Sequence, residues 1–387
     1  MSSINFEFRV PEKIIFGVGS SKEISSNALN FGKRPLIVTG KNQKRYNFLF
    51  DSFIRERITP EIYSVEGEPT TETIIECLGL GKRKKVDVVI GIGGGSAIDT
   101  GKAIAVLLTN EGNLFNYLEV IGKGKPFKNP GIPFIAVPTT AGTGAEVTKN
   151  AVIKSKEHSI KVSLRSNFML PRIAIVDPAL TYSMPKEITL NTGLDAFTQV
   201  IEPFVSNKSN PLTDSICKEG IKRISRSILE VIKDGSNTRA REDMCIGSLF
   251  GGIALANAKL GAVHGFAGAL GGVIDVSHGL LCGILLPFVI KMNIKALKER
   301  EPLSPTLIKY KEIAKIVTGK EKAEEKDLIS WIEDLYGNFN IPCLSELKLE
   351  KEKLEEIVEN AKKSSSMQGN PIVLTDEELR EIIKEAF

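Results

Sequence analysis

Four short runs of apolar, mostly β-branched residues recur in the first half of the chain and constrain its fold more than any other feature. Each run is apolar throughout or nearly so, as a strand covered by helices on both faces must be, and amphipathic stretches separate the runs. This alternation predicts β-α-β units around a mostly parallel sheet. The runs occupy residues 35–39, 86–92, 132–137 and 173–176.

The second half of the chain has a different pattern, because strand-like runs nearly disappear after about residue 180. Asn210 followed by proline predicts a helix N-cap, and apolar residues recur at near-helical spacing from there to Gly235. Thr375 and Glu378 have the spacing of a capping box that opens a last helix. We therefore expect an α/β domain and an all-helical domain, with bounds 1–183 and 184–387.

The N-terminal segment alternates apolar and polar residues. Phe6, Phe8 and Val10 are separated by polar or charged residues. Period-two alternation predicts a half-buried strand over residues 5–10. We place that strand at an edge of the sheet.

Composition and charge narrow the function classes. The chain of 387 residues is 42% hydrophobic and 25% charged, which is typical of an ordinary globular protein. Its 51 Lys and Arg residues are interspersed with 47 Asp and Glu residues, so no nucleic-acid surface is indicated. No run of 18 apolar residues and no basic start followed by an apolar segment occurs, which predicts neither a membrane span nor a secretory signal. We expect a cytoplasmic protein with a small-molecule partner.

Five scattered cysteines without a Cys-x-x-Cys pair predict reduced thiols rather than a disulfide framework or a zinc ribbon. We expect no chemistry from any of them. The chain has three histidines, of which His158 lies beside charged residues and is expected at the surface. Any mechanism that needs an imidazole therefore has few candidates.

A glycine-rich segment follows the second apolar run. Gly94, Gly95 and Ser96 lead into an apolar helical stretch, with Asp99 in its first turn. Without Cβ atoms such a turn can bring backbone N–H groups against a pyrophosphate at a helix N-terminus. The spacing matches neither the common dinucleotide fingerprint nor the P-loop, and a tight turn without a ligand is the alternative.

A second polar loop, residues 138–146, follows the next apolar run and contains Thr139, Thr140 and Thr143. The carboxyl ends of parallel strands meet at one edge of an open sheet, where ligands bind. Two such loops predict one nucleotide site, although ordinary turns also use these residue types.

Four polar side chains form a candidate metal or acid-base site in the helical half. Asp195 and Gln199 are spaced i and i+4 in a helical stretch, so both lie on one face. His264 and His278 are each followed by glycine in apolar surroundings. One carboxylate, one amide oxygen and two imidazoles can hold a divalent metal. The alternative is that the histidines are core residues with satisfied hydrogen bonds.

Together these segments resemble the iron-containing alcohol dehydrogenase family, in the superfamily of glycerol dehydrogenases, maleylacetate reductases and dehydroquinate synthases. The resemblance runs nearly end to end. It rests on residues 16–19, Gly93–Ser96 with Asp99 and Lys102, Pro138–Thr140, Gly142–Gly144 with Glu146, Asp177-Pro178, Gly193–Ala196, Asn210-Pro211, Val263–Gly265 and His278-Gly279.

The resemblance implies a Rossmann-like N-terminal domain that binds NAD or NADP and an all-α C-terminal domain that holds a catalytic metal, Fe²⁺ or Zn²⁺. It implies hydride transfer between nicotinamide and a small alcohol or aldehyde in the interdomain cleft, and a homodimer formed through the N-terminal sheet edge. By position, the catalytic residues fall on Asp195, His264 and His278, and the metal ligands on these three and Gln199. The cofactor contacts fall on Gly94, Gly95, Ser96, Asp99, Thr139, Thr140, Thr143, Asn150, Lys161 and Leu180.

The chain departs from the family pattern in three respects. Gln199 stands where metal-dependent members have histidine, and Gly268 stands where members have a further pocket histidine. Gly40 and Lys41 follow the first apolar run where many members have aspartate. A carboxylate at this place would repel the 2′-phosphate of NADP, whereas a lysine attracts it, so the sequence favours NADP. Gly40 and Lys41 are therefore predicted to bind the cofactor.

We keep four functional hypotheses open at this point. The first is a metal-dependent NAD(P)-linked alcohol dehydrogenase that works mainly as an aldehyde or ketone reductase. The second is a metal-independent reductase of the maleylacetate type with histidine as the acid, for which Arg165 and Lys161 are possible carboxylate partners. A dehydroquinate synthase-like lyase needs a basic substrate pocket, and the segment 264–278 contains no Lys or Arg. An inactive nucleotide-binding protein is the fourth.

Overall fold

The computed structural model describes residues 5–158 and 160–387, and the chain forms two compact units. The sheet unit comprises Val10–Thr140 and Gly144–Ser183. The helical unit comprises Met184–Phe387, Ala141–Thr143 and the described N-terminal residues up to Arg9. An α/β N-terminal region followed by a helical C-terminal region is the predicted fold class, which is therefore confirmed.

The sheet unit contains eight strands among its described residues. They are β1 Lys13–Phe16, β2 Pro35–Gly40, β3 Glu61–Val65, β4 Val88–Gly93, β5 Phe134–Pro138, β6 Asn150–Ser155, β7 Ile160–Arg165 and β8 Ile173–Val176. Six of them form a parallel sheet in the order β1-β8-β5-β4-β2-β3, and β6 pairs with β7 as a separate antiparallel hairpin. The four apolar runs coincide with β2, β4, β5 and β8.

Helices cover both faces of the parallel sheet. In the sheet unit they are α1 Ile24–Leu29, α2 Asn47–Arg55, α3 Thr71–Arg83 and α4 Gly95–Leu107. Along β2, Leu36 and Val38 belong to one buried apolar cluster, and Ile37 belongs to another on the opposite face. Burial of the strands on both faces explains why these runs contain so few polar residues.

Two glycines let α4 pack closely against the sheet. A Cβ atom at Gly101 would lie 2.5 Å from Cε2 of Phe134, and one at Gly91 would lie 3.0 Å from Cζ of the same ring. Larger residues would push the helix away from β4 and β5. The close packing fixes the N-terminus of α4 at the carboxyl edge of the sheet.

The strand predicted over residues 5–10 is wrong. These residues have no regular secondary structure, and the outer strand is β1, which pairs with β8. An alternating segment becomes a strand only where a neighbouring strand forms backbone hydrogen bonds with it. Here the backbone of Arg9 is hydrogen-bonded by the side chain of Asn257 instead. Its Oδ1 accepts from the Arg9 N–H at 2.7 Å, and its Nδ2 donates to the Arg9 carbonyl at 2.9 Å.

The helical unit is built from the remaining helices. They are α5 Lys186–Val205, α6 Pro211–Lys233, α7 Thr238–Ala258, α8 Ala262–Val273, α9 His278–Arg300, α10 Pro305–Thr318, α11 Glu325–Gly337, α12 Leu354–Lys363 and α13 Asp376–Ala386. Asn210 caps α6 and Thr375 with Glu378 forms a capping box at α13, as predicted. Helix α9 is long and apolar enough to cross a membrane, but 78% of its apolar window is buried within the protein, as in a core helix.

A buried carboxylate ties α6 to α7. Asp243 on α7 accepts two hydrogen bonds from Arg226, one from Arg223 and one from Ser227, all at 2.7–2.9 Å. Burial opposes ionisation of Asp243, but the hydrogen bonds from Arg226 and Ser227 outweigh it and lower its pKa. A lowered carboxyl pKa contributes stability above the pKa of the unfolded chain, about 3.9, and the contribution is lost as the pH falls.

We expect Asp243→Asn to lower the free energy of unfolding at pH 7 by about 1–3 kcal/mol, since partly exposed arginines screen part of the interaction. The difference from the unmodified protein should shrink as the pH falls below about 4. Urea unfolding at pH 7 and pH 3 measures both effects. Asp51→Asn, at an exposed position, is the control. A destabilisation that is the same at both pH values would contradict an electrostatic origin.

Candidate functional site

Three loops meet at the carboxyl edge of the parallel sheet. From β2 the chain continues to β3 on one side and then crosses to β4 on the other side of β2. The direction of winding therefore reverses between β2 and β4, and open α/β sheets bind ligands at such a point. Gly40 ends β2, and Gly93 ends β4.

The glycine loop after β4 has the geometry that the sequence predicts. A Cβ at Gly93 would lie 2.8 Å from Cβ of Ala97 and 3.4 Å from the Gly40 nitrogen, so this position requires glycine. Gly94 is the N-cap of α4, and no described side chain caps the first turn. The N–H groups of that turn and the helix dipole favour a bound phosphate.

The loop after β5 lies beside the glycine loop. The Thr139 N–H donates to the Gly93 carbonyl at 2.8 Å, and the side chain of Thr140 lies 3.6 Å from the position of a Cβ at Gly94. The structure therefore brings Gly94, Gly95 and Ser96 together with Thr139 and Thr140.

Asp99 serves a structural contact at the start of α4. Its Oδ2 accepts from the Val152 N–H at 2.9 Å, and its Oδ1 lies 2.9 Å from the buried Lys102 ammonium. Lys102 also donates to Thr148 Oγ1 and to the carbonyl of Asn150. Asp99 and Asn150 thus join α4 to β6, a role that their prediction as cofactor contacts does not include.

The other predicted cofactor residues are more dispersed. Lys161 on β7 forms an ion pair with Glu68 at 2.5 Å, and the Leu180 carbonyl accepts from Arg45 at 3.2 Å. Lys41 is exposed and lies 3.4 Å from Glu66. The second possible carboxylate partner, Arg165, lies 3.4 Å from Glu119 in an ion pair.

A second constellation lies inside the helical unit. Asp195 is on α5, His264 is on α8, and His278 is the first residue of α9. With Cys282 they form the ligand cluster, in which one ligand atom of each residue lies within 4.8 Å of every other. Three of the four predicted ligands are therefore brought together from three helices.

The glycine that follows His278 makes this arrangement possible. A Cβ at Gly279 would overlap the carbonyl oxygen of Asn191 on α5, and one at Gly283 would lie 2.7 Å from the Leu194 side chain. The first turn of α9 therefore contacts α5 backbone to backbone, which sets His278 beside Asp195.

Glu202 orients His264. Both residues are buried, and Nδ1 of His264 lies 2.6 Å from Oε2 of Glu202. Oε1 of Glu202 accepts from the Val263 N–H at 2.7 Å, which fixes the carboxylate. A hydrogen on Nδ1 that is held by a carboxylate leaves the lone pair on Nε2 for a ligand, as in many metal sites.

Two buried atoms at the centre of the cluster have no hydrogen-bond partner among the described residues. They are Oδ1 of Asp195 and Nε2 of His264, which lie 3.3 Å apart without hydrogen-bond geometry. Buried polar atoms are rarely left unpaired, and each such pair needs an explanation. A carboxylate oxygen and an imidazole nitrogen with free lone pairs fit a divalent cation.

Charges within the cluster counter the effect of burial. Burial raises the pKa of Asp195, but His264 and His278 outweigh it, so the net shift is downward. Burial lowers the pKa of His264, but Cys282 and Glu202 shift it well above its usual value. Burial raises the pKa of Cys282, and the two histidines reverse that effect and lower it.

Gln199, the fourth predicted ligand, has its amide nitrogen engaged elsewhere. Nε2 donates to the carbonyl of Thr143 at 2.8 Å, so this side chain holds the segment Ala141–Thr143 to α5. Thr143 therefore has a backbone role within the helical unit. At Gly268 no described atom lies within 4 Å of a Cβ position, so the missing histidine leaves open space.

The sequence interpretation missed Glu202 and Cys282. Glu202 follows Asp195 by seven residues, two helical turns, and Cys282 follows His278 by four, so helical spacing was an available signal for both. The expectation that no cysteine takes part in a site did not anticipate that Cys282 lies in the ligand cluster. It does hold that all five cysteines, each within the described residues, are free.

Comparisons with known proteins identify the family of the chain. The family model described as iron-containing alcohol dehydrogenase matches residues 11–178, and its C-terminal counterpart matches residues 189–387. Alcohol dehydrogenase 4 of Saccharomyces cerevisiae is 33% identical over 393 residues, covering 100% of both chains. The 1,3-propanediol dehydrogenase of Klebsiella pneumoniae is 32% identical over 403 residues, again covering 100% of both.

Solved structures give the same result. A 1,3-propanediol oxidoreductase superposes with a TM-score of 0.92 at 31% identity, covering 99% of this chain and 100% of that one. An alcohol dehydrogenase from Oenococcus oeni superposes with a TM-score of 0.89 at 34% identity, with the same coverage. The chain belongs to the iron-containing alcohol dehydrogenase family of oxidoreductases.

Proposed function

We propose that the protein transfers hydride between NAD(P) and a small alcohol or aldehyde, with a divalent metal held in the ligand cluster. The observation that carries the proposal is the buried pair of atoms without hydrogen-bond partners, Asp195 Oδ1 and His264 Nε2. Asp195, His264 and His278 would hold the metal. We assign nucleotide binding to the sheet unit, and metal and substrate binding to the helical unit.

The residues of this chain have separate tasks in that reaction. When bound, the metal lowers the pKa of an alcohol and polarises the carbonyl of an aldehyde. Glu202 would hold a hydrogen of His264 on Nδ1, so that Nε2, which lies in the cluster, could bind the metal through its lone pair. The first turn of α4 and the loops of Gly94 and Thr140 would bind the pyrophosphate through backbone N–H groups and a hydroxyl.

The names of the relatives support a small substrate. They include 1,3-propanediol dehydrogenases and a sulfoacetaldehyde reductase from Bifidobacterium kashiwanohense in complex with NAD⁺, the latter 26% identical with a TM-score of 0.87. We infer that reduction of an aldehyde or ketone is the main direction.

Metal content and activity test the proposal together. Elemental analysis of the purified protein should find near-stoichiometric iron or zinc. Oxidation of NADPH and NADH with a panel of short aldehydes should be lost on chelation and restored by the metal. A preparation with no turnover of any aldehyde or alcohol in the panel would overturn the proposal.

Cofactor preference depends on Lys41 in this proposal. Lys41 follows β2 at the winding reversal, and its ammonium pairs only weakly with Glu66 because both side chains are exposed. We expect Lys41→Asp to lower the ratio of kcat/KM for NADPH to that for NADH by about tenfold or more, since a cation near a 2′-phosphate becomes an anion. Lys44→Asp is the control. An unchanged ratio would show that Lys41 does not determine the preference.

One observation favours a second candidate, a metal-independent reductase. Gln199 replaces a family histidine, and His264 or His278 would then donate the proton to the carbonyl oxygen. Activity that persists in metal-free protein would select this mechanism over the first. The lyase and inactive-protein hypotheses have no comparable support in the structure.

We also propose a cytoplasmic homodimer. Free cysteines are typical of a reducing compartment. Strand β1 lies at the outer edge of the sheet, and Phe6 and Val10 are 42% and 39% exposed before it. Unpaired strand edges favour association with another strand. Light scattering coupled to size exclusion should give the mass of a dimer.

A further inference from the structure

We propose that Cys282 is a ligand of the metal, so that the cluster is one carboxylate, two imidazoles and one thiolate. The inference rests on the proposed function, because it concerns the metal that the function requires. It assigns to Cys282 the position that a histidine occupies in metal-dependent relatives and that Gln199 leaves without an imidazole.

Helix geometry places Cys282 where a ligand must be. It lies four residues after His278 on α9, so both side chains leave the same face of the helix. Cys282 is fully buried, and its sulfur lies 3.6 Å from Nε2 of His278. The backbone contact at Gly279 fixes this face of α9 against α5, where Asp195 lies.

Two of the distances between ligand atoms equal those expected around a single tetrahedral centre, and all of the ligand atoms lie within 4.8 Å of one another. A sulfur at about 2.3 Å and a nitrogen at about 2.1 Å from a tetrahedral metal lie about 3.6 Å apart. Cys282 Sγ and His278 Nε2 are separated by 3.6 Å. Two nitrogen or oxygen ligands at about 2.1 Å lie about 3.4 Å apart. Asp195 Oδ1 and His264 Nε2 are separated by 3.3 Å.

The contact between Cys282 and His278 has two explanations, a shared metal or a simple hydrogen bond. Two buried atoms without hydrogen-bond partners favour the metal. A thiol that donates to His278 would account for the 3.6 Å contact alone. It would leave Asp195 Oδ1 and His264 Nε2 buried without partners, as they are. A cation shared by all four residues satisfies every one of these atoms.

Gln199 is the weaker candidate for the same position. Its amide nitrogen donates to the Thr143 carbonyl at 2.8 Å, a bond that rotation of the amide would break. Its oxygen is a neutral, hard ligand, whereas thiolates bind zinc and cobalt strongly. We therefore assign to Gln199 the role of holding the backbone of the segment Ala141–Thr143.

Spectroscopy of the full-length protein tests the assignment without any mutation. X-ray absorption at the zinc edge should show one sulfur scatterer at about 2.3 Å beside nitrogen and oxygen scatterers at about 2.0–2.1 Å. The protein loaded with Co²⁺ should show sulfur-to-cobalt charge-transfer absorption in the near ultraviolet. A metal surrounded by nitrogen and oxygen alone would overturn the inference and leave the proposed function intact. Protein that takes up no metal would overturn both.

Variants identify which cysteine supplies the sulfur. Cys282→Ala should abolish the charge-transfer absorption. It should also weaken Zn²⁺ binding by roughly a hundredfold or more, because loss of a direct ligand should cost at least as much as loss of a residue that only hydrogen-bonds to a ligand. Cys217→Ala, which removes another buried thiol of the helical unit, is the matched control and should keep the absorption. Gln199→Leu should keep it too. Absorption lost in Gln199→Leu but kept in Cys282→Ala would reverse the assignment.

Discussion

Replacing Asp195 by asparagine is expected to lower kcat/KM for aldehyde reduction by about a thousandfold or more, equivalent to about 4 kcal/mol of transition-state stabilisation. Asparagine keeps the shape of the side chain but removes the negative charge that binds the metal. Its amide can also present an N–H to His264 Nε2, now 3.3 Å from the carboxylate oxygen. Steady-state kinetics and elemental analysis on the same preparation measure the two losses together.

The stability of metal-free Asp195→Asn separates a functional role from a structural one. Oδ1 of Asp195 is buried without a hydrogen-bond partner among the described residues, but His264 and His278 lower the pKa of Asp195 and so stabilise its charge even when no metal is bound. We expect the metal-free variant to melt slightly below the metal-free parent, and added metal to raise the melting temperature of the parent but not that of the variant. Asp275→Asn, at an exposed position between α8 and α9, is the control. A variant that keeps its metal and its activity would remove Asp195 from the site.

Replacing Glu202 by glutamine is expected to weaken metal binding by about 10- to 100-fold, the usual effect of removing a carboxylate that orients a metal-binding histidine. Glutamine can still accept from the Val263 N–H with its oxygen. Its NH₂ group would then face Nδ1 of His264, where a carboxylate oxygen now lies at 2.6 Å. Two donors cannot face each other, so the imidazole hydrogen would move to Nε2 and block the lone pair.

Competition with a coloured chelator measures this loss directly. Because Glu202 does not touch the substrate in the proposed mechanism, saturating metal should restore most of kcat in Glu202→Gln and little in Asp195→Asn. Glu230→Gln, at an exposed position on α6, is the control. Unchanged metal affinity would show that Glu202 contributes to packing alone. The conservative Glu202→Asp variant should recover part of the affinity.

Local patterns predicted much of this fold because the apolar residues of a segment show which of its faces will be buried, whatever the segment packs against. The runs that became β2, β4, β5 and β8 were apolar or nearly so, since both faces of each strand are covered. The helix from Asn210 was marked by its cap and its spacing. Strand β3 and the hairpin of β6 and β7 are partly exposed, so their sequences contain polar residues and were not recognised among the apolar runs.

Contacts between distant segments account for what the sequence did not predict. Asp195 and Gln199 could be placed on one helix face, but the approach of α8 and α9 depends on tertiary packing at Gly279 and its neighbours. Helical spacing could place Glu202 on the face of Asp195 and Cys282 on the face of His278, but their contacts with the other helices follow from that packing. At residues 5–10 a local pattern gave a wrong prediction. The segment alternates like a strand, but the backbone of Arg9 is hydrogen-bonded to the side chain of Asn257 and not to another strand.

The pairing of β1 with β8 has a consequence for synthesis on the ribosome. Lys13 is paired with Ile173, so 160 positions separate the two strands. At roughly 5–20 residues per second, β1 emerges roughly 8–30 s before its partner. The strands β2, β3, β4 and β5 pair with one another within residues 35–138 and can assemble in that interval. The nascent chain therefore has an apolar N-terminal strand that must wait for the sheet to be completed, and this is where we expect a chaperone to bind.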